Sequence, residues 1–238
     1  MVDSEVNENM ITVNDNKIHF WADITAQTCK ILLDHILEIE NKYDNILSSY
    51  HTTVDSLPAI ELYINSDGGT VTDAIAIIDH ISTSKFNYVS IIQGSAASAA
   101  TMISIVCDHR KIYKNAMMMI HEMSSGVRGR LSYMQDDMKC NNKLMNMIKD
   151  IYIDHTKLDK KTLEMLLVKD IYWKAEECLF MGLVDEVIDN VKTKKRTKRK
   201  IILTPKMIKK CRIIKKIVKN DEVEIKVKKV KKLKKLKK

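Results

Sequence analysis

A serine that works as a nucleophile needs a tight turn to present it, and the run Gly94-Ser95-Ala96-Ala97-Ser98-Ala99-Ala100-Thr101 offers one. The run directly follows the β-rich segment Tyr88-Val89-Ser90-Ile91-Ile92. Small residues let a strand turn sharply into a helix, placing a hydroxyl and the next backbone N–H groups where negative charge can be stabilised. That is the chemistry of acyl transfer.

A serine hydroxyl is a poor nucleophile at neutral pH and requires a base. Of the seven histidines, His121 is the best placed, because it follows the apolar strand Met117-Met118-Met119-Ile120 at a carboxyl end, as Ser98 does. His35 and His80 fall on predicted helices and His19 within a predicted strand. A third group must orient the imidazole and stabilise its charged form. Residue types alone leave Asp67, Glu122, Asp136, Asp154, Asp170 and Asp185 open for that role. Asp170 is attractive because it ends a helical segment ahead of Ile171-Tyr172-Trp173, whose aromatic rings can shield it.

Gly68-Gly69, just past the strand Ile60-Glu61-Leu62-Tyr63-Ile64, can present N–H groups with no Cβ in the way of a substrate carbonyl. The same pair also suits an ordinary strand-to-helix turn. No G-x-S-x-G elbow, H-E-x-x-H helix or G-x-x-x-x-G-K-[ST] loop is present, so α/β-hydrolase, zincin and P-loop chemistry lack support. His121-Glu122 only begins like a zincin, and peptide cleavage by a serine calls for no cofactor and no metal.

The elements that must position these groups alternate. Lys17-Ile18-His19-Phe20-Trp21 reads as a strand, 26–42 as a helix, 44–57 as a polar loop, 60–64 as a strand and 71–83 as a helix. The order repeats with a strand over 87–93, a helix over 98–107 and a strand over 116–120. This pattern predicts βαβ units around a largely parallel sheet, with ligands at the carboxyl ends of the strands. Over 131–154, Leu131, Met134, Met138, Met145, Ile148 and Tyr152 recur at spacings of three and four, with Asn141 in the missing place. The helix they define either packs on its own domain or protrudes towards another subunit. Short helices over 163–167 and 175–181 and a last strand over 183–187 complete the reading.

The net charge of +9 averages two unlike regions. Residues 1–190 hold 17 Lys+Arg against 28 Asp+Glu, and 191–238 hold 23 against 3. The chain therefore divides into a loose segment over 1–15, an acidic folded body over 16–190 and a flexible basic tail over 191–238. The tail is expected to be solvated, to bind nucleic acid or another polyanion through phosphate contacts, or to seek an acidic partner. It holds no aromatic residue, which argues against base stacking by the tail. Five cysteines without CxxC spacing fit reduced thiols in the cytoplasm, and the acidic start Met1-Val2-Asp3-Ser4-Glu5 lacks a secretory pattern. The uncharged run 86–107 spans 22 residues, enough for a bilayer, but its polar residues favour a buried strand, turn and helix, and no membrane association is expected.

Four segments together resemble the proteolytic subunit of the Clp protease, ClpP. They are 63–71, the run 94–100, Met119-Ile120-His121, and Gly182-Leu183-Val184-Asp185, in the family's order, with the likeness extending from about 17 to 189. The resemblance implies an α/β fold of the ClpP/crotonase type with a long protruding helix. It implies Ser98 as nucleophile, His121 as base and Asp170 as the acid, with Gly68 or Gly69 and Ala99 donating backbone N–H groups to an oxyanion. It further implies a homo-oligomer of stacked rings, catalytic sites inside a chamber, unfolded polypeptide as substrate, and a Clp-type ATPase unfoldase as partner. Two related readings share the fold and the motifs: a viral head maturation protease and an inactive ring-forming paralogue. A crotonase-type acyl-CoA enzyme shares the fold alone.

The chain departs from the family pattern at several places. Asp67 stands where the family has Pro, Ala99 where it has Met, and Glu122-Met123 where it has Gln-Pro. Glu61 replaces an aromatic residue of the pocket that receives the ATPase loops.

Overall fold

The structure, a computed structural model, describes residues 10–189. Residues 1–9 and the basic tail beyond 189 lie outside the described residues, and with them most of the expected N-terminal segment. The part of that segment that is described is ordered differently from expectation. Ile11–Asn14 forms strand β1, which pairs antiparallel with β2, Lys17–Phe20. Ile11 is buried there, which a loose segment would not achieve.

Next come α1 (Ala26–Tyr50), β3 (Ile60–Ser66), α2 (Val71–Thr83), β4 (Tyr88–Ala97) and α3 (Ala99–Ile105). They are followed by β5 (His109–Tyr113), β6 (Met117–Met119), α4 (Leu131–His155), α5 (Lys160–Leu167), β7 (Tyr172–Lys174), α6 (Ala175–Met181) and β8 (Glu186–Ile188). The main sheet runs β1-β2-β3-β4-β5-β8, parallel from β2 onward. Alternating strand and helix thus give the α/β fold of βαβ units that the sequence implied.

Helix α1 continues into the first half of the stretch expected to be a loop, as far as Tyr50, and the loop is confined to the residues after it. Its start is fixed by Thr25 and Thr28, which bond reciprocally as a capping box. Leu32, Ile36, Ile39 and Tyr43 are buried along one stripe and Leu47 extends it, so tertiary packing outweighs the weak helix propensity of the Asn and Ser residues in the last turns. Burial of each such aliphatic side chain is worth about 1.5–3 kcal/mol. His51, at φ 48°, takes the left-handed conformation that ends the helix.

Strand β4 does most to shape the site. Its first half pairs with β5, from Val89 opposite His109 to Ile92 opposite Ile112. Its second half pairs with β6, from Ser95 opposite Met117 to Ala97 opposite Met119. Between the two the register against β3 slips by two residues, at a bulge where Gly94 adopts φ +72°. A Cβ at Gly94 would stand 2.7 Å from Asn65 Oδ1, so glycine is needed for the bend. The bend carries β4 out of one strand neighbourhood and into another.

The uncharged run resolves into β4 and α3 rather than one helix, and no helix among the described residues is long and apolar enough to cross a membrane. The long helix α4 packs on its own domain over part of its length only. Its first half is exposed at Leu131, Met134 and Met138, whereas Ile148 and Tyr152 in its second half are buried against the core. Tyr152 hydroxyl bonds Thr101 Oγ1 on α3, and Thr101 Oγ1 in turn donates to the Ser98 carbonyl at 2.7 Å.

Candidate active site

Ser98 sits at the junction between β4 and α3 with φ 52° and ψ −127°, outside the helix that sequence reading expected it to begin. Non-glycine residues rarely hold such a conformation, which costs on the order of 1–3 kcal/mol. It is kept there by surrounding bonds. The Ser98 N–H donates to the Met119 carbonyl at 2.8 Å, and the Ser98 carbonyl accepts from the Thr101 N–H at 3.0 Å. Ala97 and Ala99 on either side are buried, at 0% and 1% exposure, so the turn has no room for larger neighbours. Small residues therefore produce an elbow-like turn without the G-x-S-x-G sequence.

Strand pairing brings the next two groups to the same place. β6 runs parallel to the end of β4, with Met119 opposite Ala97, and β7 runs antiparallel to β6, with Met119 opposite Tyr172. Continuing the β6–β7 register by two residues sets His121 across from Asp170. There His121 Nδ1 lies 2.9 Å from Asp170 Oδ1. A carboxylate can only accept, so Nδ1 carries the proton and Nε2 is the nitrogen left with a lone pair. The Glu122 N–H donates to the Leu167 carbonyl at 2.8 Å, which fastens the segment after His121 to the end of α5 just ahead of Asp170.

The expected shielding of Asp170 by its aromatic neighbours is absent. Its side chain is 81% exposed, against 23% for His121. Trp173 packs on the β6 side through its pairing with Met118, and Tyr172 is itself exposed.

Among the described residues Asp170 is the carboxylate that pairs with His121, although Glu122 adjoins His121 and Asp67 adjoins Gly68 in the chain. Asp136 pairs with Lys139 and Asp185 with Arg110, Asp67, Glu122 and Asp154 are exposed, His80 pairs with Glu40, and His109 with Glu186. Among the described residues no three His, Cys, Asp or Glu side chains are grouped to hold a metal ion.

The glycine pair adjoins Ser98. Gly68 has φ +94°, and a Cβ on it would meet the Ala97 carbonyl oxygen at 2.6 Å and Ser98 Cβ at 2.8 Å. Its own N–H is already engaged, donating to Ser66 Oγ at 3.1 Å. Gly69 forms a parallel bridge with Ile24 whose two bonds use the Gly68 carbonyl and the Thr70 N–H. The Gly69 N–H is not spent on that bridge. Ala99 is the first residue of α3, where an N–H has no partner within the helix. Of the three backbone donors expected from sequence, Gly69 and Ala99 thus have the uncommitted N–H groups within this local bonding.

Two side chains that sequence reading left without a role support the turn. Asn65 Oδ1 accepts from the Ser95 N–H at 3.1 Å, which ties the Gly68-Gly69 segment to the Ser98 segment. Ser66 Oγ holds Gly68. Both lie inside the motif 63–71, so their position was visible although their partners were not.

The family model described as Clp protease matches residues 25–191 of this chain. That span includes Gly68, Gly69, Ser98, Ala99, His121 and Asp170.

Proposed function

Because the chain belongs to the Clp protease family, and is a ClpP-like peptidase to that extent, we propose that it is a serine endopeptidase acting through Ser98, His121 and Asp170. The single observation that carries the reading is the strand arrangement that puts His121 Nδ1 2.9 Å from Asp170 and bonds the Ser98 N–H to Met119, two residues before His121. His121 Nε2 takes the Ser98 proton as Oγ attacks the scissile carbonyl, and returns it to the leaving amine. Asp170 holds the imidazole in the tautomer that this transfer needs. The Gly69 and Ala99 N–H groups receive the oxyanion, a contribution worth roughly 100- to 1000-fold for one donor.

The exposed first half of α4 suits the stacked-ring assembly that the family resemblance implies, with unfolded polypeptide as substrate and a Clp-type ATPase as partner. At the surface where the family docks that ATPase, Glu61 pairs with Lys17 at 3.4 Å and accepts from Tyr63 Oη at 2.7 Å. A docking loop would meet a charged patch there in place of an aromatic one.

Fluorophosphonate labelling of wild type and Ser98→Ala, read together with native mass, tests the proposal. Labelling of a many-subunit assembly that disappears in Ser98→Ala is the expected result. Unchanged labelling of Ser98→Ala rejects Ser98 as nucleophile, and an unlabelled wild type rejects the peptidase mechanism.

A further inference from the structure

A groove of about 320 Å³ opens beside His121, between the segment that follows this histidine and the first half of α4. Its walls combine Met123, Met134, Met138 and Met145 with two carboxylates, Glu122 and Asp137. Methionines form an adaptable apolar channel, suited to an unbranched hydrocarbon stem. The carboxylates, one from the loop and one from α4, make the lining negative, and no Lys or Arg is among the residues that line it. Among the described residues neither Glu122 nor Asp137 has a cationic partner, although the adjacent Asp136 is paired with Lys139.

The wall is braced. Asn141 Nδ2 donates to Ser125 Oγ at 3.0 Å and to Asp137 Oδ2 at 2.8 Å, which joins the loop to the helix and leaves the Asp137 carboxylate further acceptor capacity. A volume near the lower end of the range for ligand pockets, about 300–1,000 Å³, suits one or two side chains rather than a folded partner. An apolar stem with a cationic head matches both features of the lining, as in side chains that bury their methylenes and keep the charge at a polar rim.

We infer that this groove is a specificity subsite that takes a Lys or Arg side chain of the polypeptide bound next to His121. The cleavage preference rests on the peptidase reading; binding of the basic side chain does not. Glu122 is central, because it adjoins His121 directly and introduces a full negative charge at the groove. Each partly exposed ion pair contributes roughly threefold, and the two together about tenfold.

The test uses fluorescein-labelled hexapeptides differing only at a central Lys, Arg, Met or Glu, with binding read by anisotropy on the full-length Ser98→Ala protein. Lys and Arg peptides are expected to bind about tenfold tighter than the Met peptide, with the Glu peptide weakest. Glu122→Gln with Asp137→Asn should bring Lys and Met peptides close to parity. Asp55→Asn with Asp79→Asn, which removes the same charge outside the groove, should leave the preference intact. Equal binding of Lys and Met peptides, or an equal loss in both double variants, overturns the inference. On wild type, kcat/KM for the same peptides should follow the same order. Preferential Lys binding by a protein that fluorophosphonate does not label would sink the peptidase mechanism and leave the subsite standing.

Discussion

Gly68 lies directly against Ser98: a Cβ on the glycine would stand 2.8 Å from the serine Cβ, with the Ala97 carbonyl oxygen closer still at 2.6 Å. The two turns are therefore packed together through backbone, and neither can shift without the other. Gly68→Ala adds a methyl where φ is +94° and where the nearest obstructing atom, the Ala97 carbonyl oxygen, belongs to the main chain. It should destabilise the fold by about 1–3 kcal/mol and lower the rate of fluorophosphonate labelling at least about 100-fold. Thermal unfolding and labelling kinetics measure the two effects separately. A Gly68→Ala protein that labels at the wild-type rate would show that the glycine turn does not shape the Ser98 site.

Asp170 separates catalytic from structural effects unusually well. Its side chain is 81% exposed, so its pairing with His121 adds little to stability, less than about 1 kcal/mol. The role proposed for it, fixing the imidazole tautomer, is a different matter, since replacing such an acid by its amide has large kinetic consequences. Asp170→Asn is expected to unfold at nearly the wild-type temperature while labelling falls between about 10²- and 10⁴-fold. Loss of stability and labelling in parallel would instead mark Asp170 as a structural residue.

Acid sensitivity is expected at Asp185. The Arg110 guanidinium bonds both its carboxylate oxygens, at 2.7 and 2.9 Å, and the Arg110 N–H adds a third bond at 3.0 Å. These hold its pKa below the ordinary value of 3.8, the side-chain bond being the largest cause, against opposition from partial burial. A depressed carboxylate contributes stability that is full above the unfolded value and is lost as pH falls through the lower folded value. Asp185→Asn should therefore cost about 1–2 kcal/mol at pH 7, after discounting for its partial exposure, and progressively less below about pH 4. Thermal unfolding of both proteins from pH 7 to pH 2.5 checks this. A difference that stays constant across that range would assign the effect to packing.

Much of the candidate site was legible because its signals were local. The run of small residues marked a turn that holds Ser95 as well as Ser98, and the order of motifs in the family resemblance selected Ser98; His121 was marked by the apolar strand before it and the glycine pair by the strand that it ends. The association of His121 with Asp170 was not local. It depends on β7, a three-residue strand whose pairing with β6 leaves almost no periodic signal in Tyr172-Trp173-Lys174. Without that strand the choice among six carboxylates stayed open, and the expected aromatic shield was a poor guide. The fold shows the same division. Helix α2 was read close to its observed bounds from the glycine-containing turn that precedes it, whereas the end of α1 was hidden by Asn, Ser and Thr residues whose propensities yield to the burial of Tyr43 and Leu47. The fork in β4 was invisible because Gly94 fits equally well in a nucleophile turn and in the bulge that it occupies.

The basic tail makes a prediction independent of the active site. Residues 191–238 hold 23 Lys+Arg against 3 Asp+Glu, while 1–190 is acidic and should be repelled by a polyanion. Phosphate neutralisation is indifferent to base sequence and releases counterions, so its signature is a steep fall of affinity with salt. The full-length protein is expected to bind duplex DNA of any sequence, and to lose about 10³- to 10⁵-fold in affinity between 50 and 200 mM salt if six to ten phosphates are engaged. The 1–190 protein should not bind under either condition, and it should retain fluorophosphonate labelling. Gel-shift titrations with two unrelated DNA sequences, together with retention on heparin, measure this directly. Equal retention of the two proteins on heparin would move polyanion binding from the tail to the body, where the net charge gives no reason for it.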